Sequence, residues 1–310
     1  MTDKQKRIGV DVGGTNLRVA LVADLQVVDE YRCHADFSAI CRDHPPEIAW
    51  RQIIDVTSAA LRQMLQRHPD VASVGIGFPG FIDPVHGTVL QSPNLPGLRD
   101  VDLAGDLVRA LERPVVVEND ANAAAYGEYK LHPQAVSSLV YLGLGTGVGG
   151  GLVIRHKLIT GSHGFAMEAG HLIVEAGGRL CGCGNRGCME QYASASGVSL
   201  SYAEKSGKRL NASEVAALAQ AGDDAARAAF ERAGDALAQA LAHILKVVDV
   251  ENIVIGGGMS KAWPLMQPAF QARLERDLIP VLRGRVDIRL SDSGDHAGVI
   301  GAAALSAGVV

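Results

Sequence analysis

Residues 7–22 read RIGVDVGGTNLRVALV, and residues 138–154 repeat the theme as SLVYLGLGTGVGGGLVI. Each stretch is an apolar run, a glycine-rich turn and a second apolar run, which predicts strand, turn and strand. Elsewhere apolar residues recur at helical spacing, as in residues 47–66 and 212–248. Strands that alternate with helices predict an α/β protein with two related halves.

The length of 310 residues is enough for two domains of moderate size. No proline- or serine-rich linker separates the two halves. We predict an N-terminal α/β domain over residues 1–120 and a larger C-terminal α/β domain over residues 121–296. The small-residue helix predicted near the end leads us to expect that residues 297–310 return to the first domain.

Composition excludes several classes of protein. The formal net charge is −5, so no basic surface for nucleic acid is predicted. The opening MTDKQKRIGV lacks the apolar segment of a signal peptide. Residues 135–154 are uncharged, but glycines interrupt them, so they do not predict a membrane helix. We therefore expect a cytoplasmic protein without a membrane partner.

The first glycine turn, DVGGTN, has the composition of a phosphate-binding loop. Gly13 and Gly14 let the backbone turn sharply and present N–H groups with no side chain in the way. Thr15 and Asn16 add hydroxyl and amide donors, and the carboxylate of Asp11 can hold Mg²⁺ through water. A plain β-hairpin turn is the alternative, because Gly-Gly is also a hairpin signal.

The second glycine turn contains Gly145-x-Gly147-x-x-Gly150, a formal match to the dinucleotide fingerprint. That motif requires a helix directly after the glycines, whereas an apolar strand follows here. The Walker pattern GxxxxGK[ST] is absent from the sequence. A third glycine cluster follows the apolar run of residues 252–255.

The three glycine clusters, in this order, resemble the phosphate-1, phosphate-2 and adenosine motifs of the actin-like ATPase and sugar kinase superfamily. The resemblance spans nearly the whole chain. It implies the two-domain actin-like (ribonuclease H-like) fold with an interdomain cleft, and it implies ATP and Mg²⁺ as ligands. The nucleotide contacts it implies are Asp11, Gly13, Gly14, Thr15, Asn16, Gly145, Thr146, Gly147, Val148, Gly149, Gly256, Gly257 and Gly258.

Residues 115–122, VVVENDAN, place Asn119 and Asp120 where a predicted strand meets a predicted helix. A carboxylate there can accept a proton from a substrate hydroxyl during phosphoryl transfer. Helix capping is the alternative, because Asp and Asn are preferred where helices begin. Beside two phosphate loops, the catalytic role of Asp120 is favoured.

Three of the five cysteines, Cys181, Cys183 and Cys188, fall within eight residues and follow His171 closely. One histidine and three cysteines are enough for a closed tetrahedral zinc site. The spacing CxC-x4-C is not that of a zinc finger, and a set of reduced buried thiols is the alternative. The two remaining cysteines lie far away and are expected to be ordinary thiols.

The run EAGH at residues 168–171, followed by CGCGNRGCME at residues 181–190, resembles the signature of the ROK family (repressors, open reading frames and kinases), particularly its bacterial glucokinases. The resemblance implies that His171 and the three cysteines bind a structural Zn²⁺. It also implies a homodimer. The sugar contacts it implies are Asn94, Asn119, Asp120, Glu168, His171 and Glu190.

The expected activity is ATP-dependent phosphorylation of a hexose at its primary hydroxyl, with glucose as the first choice. Kinases of N-acetylglucosamine, N-acetylmannosamine, fructose or mannose share nearly all these residues and remain alternatives. A sugar-responsive repressor of the same family is disfavoured, because the few residues before the first strand leave no room for a helix-turn-helix domain. Asp120 and both phosphate loops disfavour a sugar sensor without catalysis.

Overall fold

The structure is a computed structural model that describes residues 5–13, 15–132 and 137–309. The chain divides into two compact units. The first unit comprises Met1–Ser137, Gly151–Ala166 and Ser293–Val310, and the second comprises Ser138–Gly150 and Met167–Asp292. The domain boundary expected near residue 120 stays a prediction.

The first unit is built on a five-stranded sheet in the order β3–β2–β1–β4–β8. Its strands are β1 (Arg7–Val12), β2 (Asn16–Ala23), β3 (Gln26–His34), β4 (Ser73–Phe78) and β8 (Val115–Asn119). Strands β1, β2 and β3 are antiparallel neighbours, whereas β4 is parallel to both β1 and β8. The predicted strand, turn and strand of residues 7–22 is therefore confirmed.

The remaining elements of the first unit are helices and a small three-stranded sheet. The helices are α1 (Phe37–Asp43), α2 (Pro46–Arg67), α3 (Leu103–Leu111), α4 (Asp120–Leu131) and α10 (His296–Leu305), with a short 3-10 helix over Ser306–Val309. The small sheet consists of β5 (Phe81–Asp83), β6 (Thr88–Gln91) and β7 (Arg99–Asp102). Helix α2 matches the predicted pattern, and Pro46 stands in its first turn, where a missing N–H costs nothing.

Helix α10 packs unusually close to the first sheet. A Cβ added at Gly9 would lie 1.8 Å from the carbonyl oxygen of Val299, and one at Gly75 would lie 1.8 Å from that of Ala302. Both glycines therefore exist to let the helix backbone reach the strands. This contact holds α10 beside β1, the strand that carries Asp11.

The second five-stranded sheet has the order β11–β10–β9–β12–β13. Its strands are β9 (Leu139–Leu144), β10 (Val148–Ile154), β11 (Lys157–Leu158), β12 (Asn252–Gly256) and β13 (Asp287–Leu290). Strand β12 is parallel to both β9 and β13. A strand, not a helix, follows the glycines at 145–151, so the rejection of a dinucleotide-binding motif is confirmed.

The second unit also contains a set of helices. They are α5 (Glu190–Ala193), α6 (Ala195–Ser206), α7 (Ala212–Gln220), α8 (Asp224–Val248) and α9 (Trp263–Asp277), with 3-10 helices over Ala169–His171, Gly258–Ala262 and Pro280–Leu282. Phe230, Leu237 and Leu241 are buried along α8, as its apolar stripe predicts. Within the described ranges, no helix is both long and apolar enough to cross a lipid bilayer.

Candidate functional site

The first glycine loop is a short turn closed by its own backbone. The N–H of Gly13 donates to the carbonyl oxygen of Asn16 (2.9 Å), and Asn16 Nδ2 donates to Thr15 Oγ1 (3.1 Å). The loop joins two antiparallel strands, so the hairpin alternative describes its backbone correctly. Thr15 and Asn16 are exposed and remain accessible to a ligand, and Gly14 lies outside the described residues.

Asp11 is the last residue but one of β1, beside this loop, and lies directly opposite Arg18 of β2. Burial raises the pKa of the Asp11 carboxyl, and the Arg18 guanidinium opposes that rise. Arg18 is itself held by Glu30, whose Oε2 accepts a hydrogen bond from Nη2 (2.6 Å), and by the carbonyl oxygen of Asp295. Asp11 thus lies next to a fixed positive charge.

Asn119 is the N-cap of α4, and Asp120 is the first residue of that helix. Asn119 Oδ1 accepts hydrogen bonds from the N–H groups of Ala121 (2.9 Å) and Asn122 (3.1 Å), while its Nδ2 donates to the carbonyl oxygen of Gly80 (3.1 Å). Asp120 Oδ1 accepts from the N–H of Ala121 (2.8 Å). Asn119 therefore caps α4, and the Asp120 carboxylate binds an N–H group of the first turn.

A buried carboxyl group lies directly behind this turn. Glu118 Oε1 accepts hydrogen bonds from the N–H of Asn119 (2.9 Å) and from Asn122 Nδ2 (3.1 Å). Burial raises the pKa of Glu118, and these two donors oppose the rise. Asn122 Oδ1 is buried and has no hydrogen-bond partner among the described residues. Sequence reasoning missed both side chains, because only their positions next to Asn119 and Asp120 could have indicated them.

Asn94, the remaining predicted sugar contact of the first unit, lies in the connection between β6 and β7. Asn94 is exposed, and its backbone carbonyl oxygen accepts a hydrogen bond from Ser38 Oγ (3.0 Å). This bond connects the Asn94 segment to helix α1. The side chain of Asn94 is thus free to meet a ligand from solvent.

The second glycine loop is held by residues far along the chain. The N–H of Gly145 donates to the carbonyl oxygen of Gly147 (2.9 Å), which closes the turn. The carbonyl oxygen of Gly145 accepts from the N–H of Ala195 (2.9 Å), and that of Thr146 accepts from Ser196 Oγ (3.0 Å). The start of α6 therefore supports this loop.

Glu190 also contacts the second loop. Its Oε2 accepts a hydrogen bond from the N–H of Val148 (3.0 Å), and a Cβ added at Gly147 would lie 2.4 Å from the same oxygen. Val148 and Gly149 are the first residues of β10. The predicted nucleotide contact Val148 and the predicted sugar contact Glu190 are therefore bonded to each other.

The third glycine cluster packs on the second loop. Gly256 is paired with Gly143 of β9, and a Cβ added at Gly257 would lie 2.4 Å from the carbonyl oxygen of Leu144. In contrast, a Cβ added at Gly258 would meet no atom within 4 Å. Gly257 is required by internal packing, whereas Gly258 borders open space where another molecule can approach.

His171 and the three clustered cysteines converge at one point. Each offers one ligand atom, and the four atoms lie within 4.8 Å of one another. Cys181 Sγ lies 3.6 Å from His171 Nδ1, and Cys183 Sγ lies 3.6 Å from Cys188 Sγ. Tetrahedral zinc with Zn–S of about 2.3 Å and Zn–N of about 2.1 Å requires separations of about 3.8 Å between sulfurs and about 3.6 Å between sulfur and nitrogen. The donor types and spacing fit zinc.

The ionisable groups of this cluster lie close enough to shift one another's pKa values. Burial, together with the neighbouring Cys183 and Cys181 sulfurs, raises the pKa of Cys188 to about 12. His171 Nε2 lies 3.8 Å from Glu168 Oε2. Burial raises the pKa of Glu168, the nearby Glu190 adds to the rise, and His171 opposes it. Glu168, His171 and Glu190 therefore form one polar group beside the sulfurs.

Known proteins resemble this chain along nearly its whole length. A profile of the ROK family matches residues 7–308. The chain is 32% identical to the glucokinase of Thermotoga maritima, with 97% of each chain covered. It is 35% identical to an N-acetyl-D-glucosamine kinase of Escherichia coli, with 96% of this chain and 98% of the relative covered.

Among solved structures, a ROK family glucokinase from Streptomyces griseus in complex with glucose and AMPPNP is similar to this chain, with a TM-score of 0.81 and 32% identity. That comparison covers 97% of this chain and 98% of the relative. The predicted α/β, actin-like fold is thereby confirmed. On the profile and the relatives together, this chain belongs to the ROK family.

Proposed function

We propose that this protein is an ATP-dependent hexose kinase that converts glucose to glucose 6-phosphate. The observation that carries the proposal is the likeness over nearly the full chain to a ROK glucokinase crystallised with glucose and AMPPNP. The glucokinase relative supports the same sugar and the same reaction. The glycine loops and the polar group around His171 supply side chains and amides suited to both substrates.

The nucleotide is proposed to bind through backbone amides. The proposed amides are those of the glycine loops at residues 13–16 and 145–149. Gly258, which borders open space, is proposed to lie against the adenosine together with Gly256 and Gly257. Glycine-rich turns suit this task because their N–H groups can approach phosphate oxygens closely.

Mg²⁺ is proposed to bind near Asp11 through water. A carboxylate oxygen is the kind of ligand that Mg²⁺ prefers, and Asp11 lies at the strand end next to the first loop. When bound, the ion offsets the negative charge of the phosphate oxygens during transfer. Arg18, opposite Asp11, keeps a positive charge beside the carboxylate and so favours its ionised form.

Asp120 is proposed to be the catalytic base. The primary hydroxyl oxygen of the sugar forms a bond to the γ-phosphorus while the bond from that phosphorus to the β,γ-bridging oxygen breaks. The hydroxyl proton passes to the Asp120 carboxylate, and ADP leaves with the bridging oxygen. The cap at Asn119 and the bonds of Glu118 hold the turn that carries Asp120.

Six side chains are proposed to recognise the sugar. Asn94, Asn119 and Asp120 are the proposed contacts of the first unit, and Glu168, His171 and Glu190 are those of the second. Ionised carboxylates accept hydrogen bonds from adjacent hydroxyls, which suits a polyhydroxylated ligand. His171 Nε2 is proposed to face the sugar, since its Nδ1 is directed toward Cys181.

The zinc is proposed to be structural. His171, Cys181, Cys183 and Cys188 supply four ligands, which leaves no open position for a substrate. The ion would fix the ring of His171 and the course of the segment before Glu190. Elemental analysis of the purified protein should find about one zinc per chain.

A second candidate function is phosphorylation of N-acetyl-D-glucosamine, favoured by the 35% identity to a kinase of that sugar. Both reactions transfer phosphate to the same hydroxyl and use the same proposed base. They differ in whether the pocket admits an acetamido group in place of a hydroxyl. N-acetylmannosamine, fructose and mannose remain further alternatives for the same reason.

The test is a comparison of kcat/KM for these five sugars with ATP, with ADP formation as the readout. We expect turnover with at least one hexose and the highest kcat/KM with glucose. A higher kcat/KM with an N-acetylated sugar would transfer the proposal to that substrate. Formation of ADP with none of the sugars would contradict a hexose kinase.

We also propose a homodimer in the cytoplasm, as family membership suggests. Light scattering after size exclusion should then give about 65 kDa, twice the chain mass of 32.5 kDa. A mass of one chain at micromolar concentration would contradict the dimer. Fractionation of cells that express the protein tests its location.

A further inference from the structure

Arg179 lies in the segment between His171 and Cys181, and its guanidinium group bonds to residues of helices α5 and α6. We propose that Arg179 is a positioning residue for Glu190, the carboxylate at the start of α5. This inference rests on the proposed hexose kinase function, because it explains how one proposed sugar contact is held. Arg179 itself is not proposed to touch substrate.

Arg179 contacts both residues that follow Glu190. Its Nη1 donates to the carbonyl oxygen of Gln191 (2.5 Å), and its backbone N–H donates to Tyr192 Oη (3.0 Å). The guanidinium carbon lies 4.7 Å from the centroid of the Tyr192 ring, within the range of a cation–π contact. Arg179 therefore holds α5 through its guanidinium group and through its backbone N–H.

The same guanidinium group connects α5 to helix α6. Nη1 also donates to the carbonyl oxygen of Gly197 (3.2 Å), and Nη2 donates to Ser201 Oγ (2.9 Å). Nε and Nη2 donate to the two carboxylate oxygens of Glu204 (2.8 and 2.6 Å). This paired geometry needs the planar fork of arginine, and a lysine ammonium cannot reproduce it.

Helix α5 needs such external support. It has four residues, too few for a helix to persist by its own hydrogen bonds, and its N-cap residue Met189 makes no side-chain capping bond. Tyr192 is 1% exposed, and Arg232 lies over its ring at the same 4.7 Å as Arg179. The two positive charges are offset by Glu204 and Glu175, and their arginine partners lower the pKa of both carboxyls.

Loss of the Arg179 side chain should therefore displace the Glu190 carboxylate. The Glu190 carboxylate bonds to Val148 and is proposed to meet a sugar hydroxyl, so a shift of α5 would misplace it for the sugar. Asp120, the proposed base, lies in the first unit and is held by its own neighbours. Arg179 should consequently affect the hexose KM far more than kcat.

The experiment compares R179M, R179K and the matched control R186M. Arg186 lies a few residues further along, between Cys183 and Cys188; it is exposed, and its guanidinium donates to the carbonyl oxygen of Gly178 (3.3 Å). We expect R179M to raise the KM of the best wild-type hexose about tenfold, as loss of hydrogen bonds to charged groups does, with kcat nearly unchanged. R179K keeps the positive charge, so its KM should lie between those of R179M and wild type. R186M should match wild type, and all three variants should retain zinc.

An unchanged hexose KM in folded R179M would overturn the inference, as would an equal KM rise in R186M. Loss of zinc together with sugar binding would also overturn it, because Arg179 would then act on the metal segment instead of Glu190. If R179M does not fold, E204Q replaces it, with an expected KM rise of about threefold and an unchanged KM as the contrary result. A wild-type protein inactive on every hexose would instead refute the proposed function.

Discussion

The proposed functional residues of the two units are held in different ways. In the first unit the loop and helix-start bonds are mostly short in sequence, as from Gly13 to Asn16 and from Asn119 and Asp120 to Ala121, although Asn119 also donates to Gly80. In the second unit they span long stretches, as from Val148 to Glu190 and from Thr146 to Ser196. The metal-type cluster likewise brings together residues from 171 to 188.

From this difference we expect a substitution in the first unit to affect one group and a substitution in the second unit to affect several groups at once. A change in the first unit alters one group and leaves its neighbours supported by backbone bonds. A change in the second unit reaches the sugar contacts and the second glycine loop together, because Glu190 bonds to Val148. The following variants test this contrast, from the largest expected effect to the smallest.

The strongest local effect is expected from D120N. An amide cannot accept the hydroxyl proton as a carboxylate does, so kcat should fall by about three orders of magnitude. Asn119 still caps the helix, so hexose binding measured by calorimetry and the melting temperature should stay close to wild type. Turnover near the wild-type rate would remove Asp120 from the proposed role.

The strongest spreading effect is expected from C188S. Cys188 is fully buried in the cluster, and losing one ligand should release the metal, so elemental analysis should find almost no zinc. The kcat/KM for hexose should fall about 100-fold, the upper range for a disturbed metal site, and the KM for ATP should also rise. C33S, at a cysteine outside the cluster, is the control and should behave as wild type. A zinc-free C188S with full activity would contradict a structural metal.

A sharper comparison uses E190Q in the second unit and T15A in the first. The neutral oxygen of Gln accepts the Val148 hydrogen bond more weakly, so E190Q should raise the KM of both ATP and hexose about fivefold. T15A removes one exposed donor from the first loop and should raise the KM of ATP alone. An unchanged KM for ATP in E190Q would contradict a coupling of the sugar contacts to the second glycine loop through the Glu190–Val148 hydrogen bond.

The smallest effect is expected from E118Q, for which the free energy of unfolding is measured as a function of pH. Burial raises the pKa of Glu118 in the folded protein, so the protonated form is favoured by folding. Its stabilising contribution is complete below the unfolded pKa and is lost as the pH rises through the folded pKa. The glutamine of E118Q cannot ionise. As the pH rises from about 4 to about 8, the free energy of unfolding of the wild type should therefore fall relative to that of E118Q. Parallel curves for E118Q and wild type would contradict this, and E112Q at an exposed glutamate is the control.

Local patterns in the sequence predicted much of this protein. The apolar runs around both glycine turns form the expected strands, residues 47–66 lie within α2, and the α/β fold and the ROK family are confirmed. The pattern at 212–248 is divided into α7 and α8, because Asp223 caps a new helix. These features depend on neighbouring residues, which a single sequence displays directly.

Features that depend on distant pairs were not predictable. Nothing in the sequence around Arg179 points to Gln191, Gly197 or Glu204, and nothing near Val148 points to Glu190. Helix α9 was also missed, because Pro268 stands inside it and reads as a helix breaker. The residue roles at the site stay predictions, since they concern ligands.

The most direct test of the central claim is a crystal structure with glucose and a non-hydrolysable ATP analogue. We predict that the phosphates contact backbone N–H groups of residues 13–16 and 145–149. We also predict that an Asp120 carboxylate oxygen lies about 2.6–3.2 Å from the primary hydroxyl of the sugar. A nucleotide bound away from the glycine loops, or a hexose out of reach of Asp120, would contradict the account.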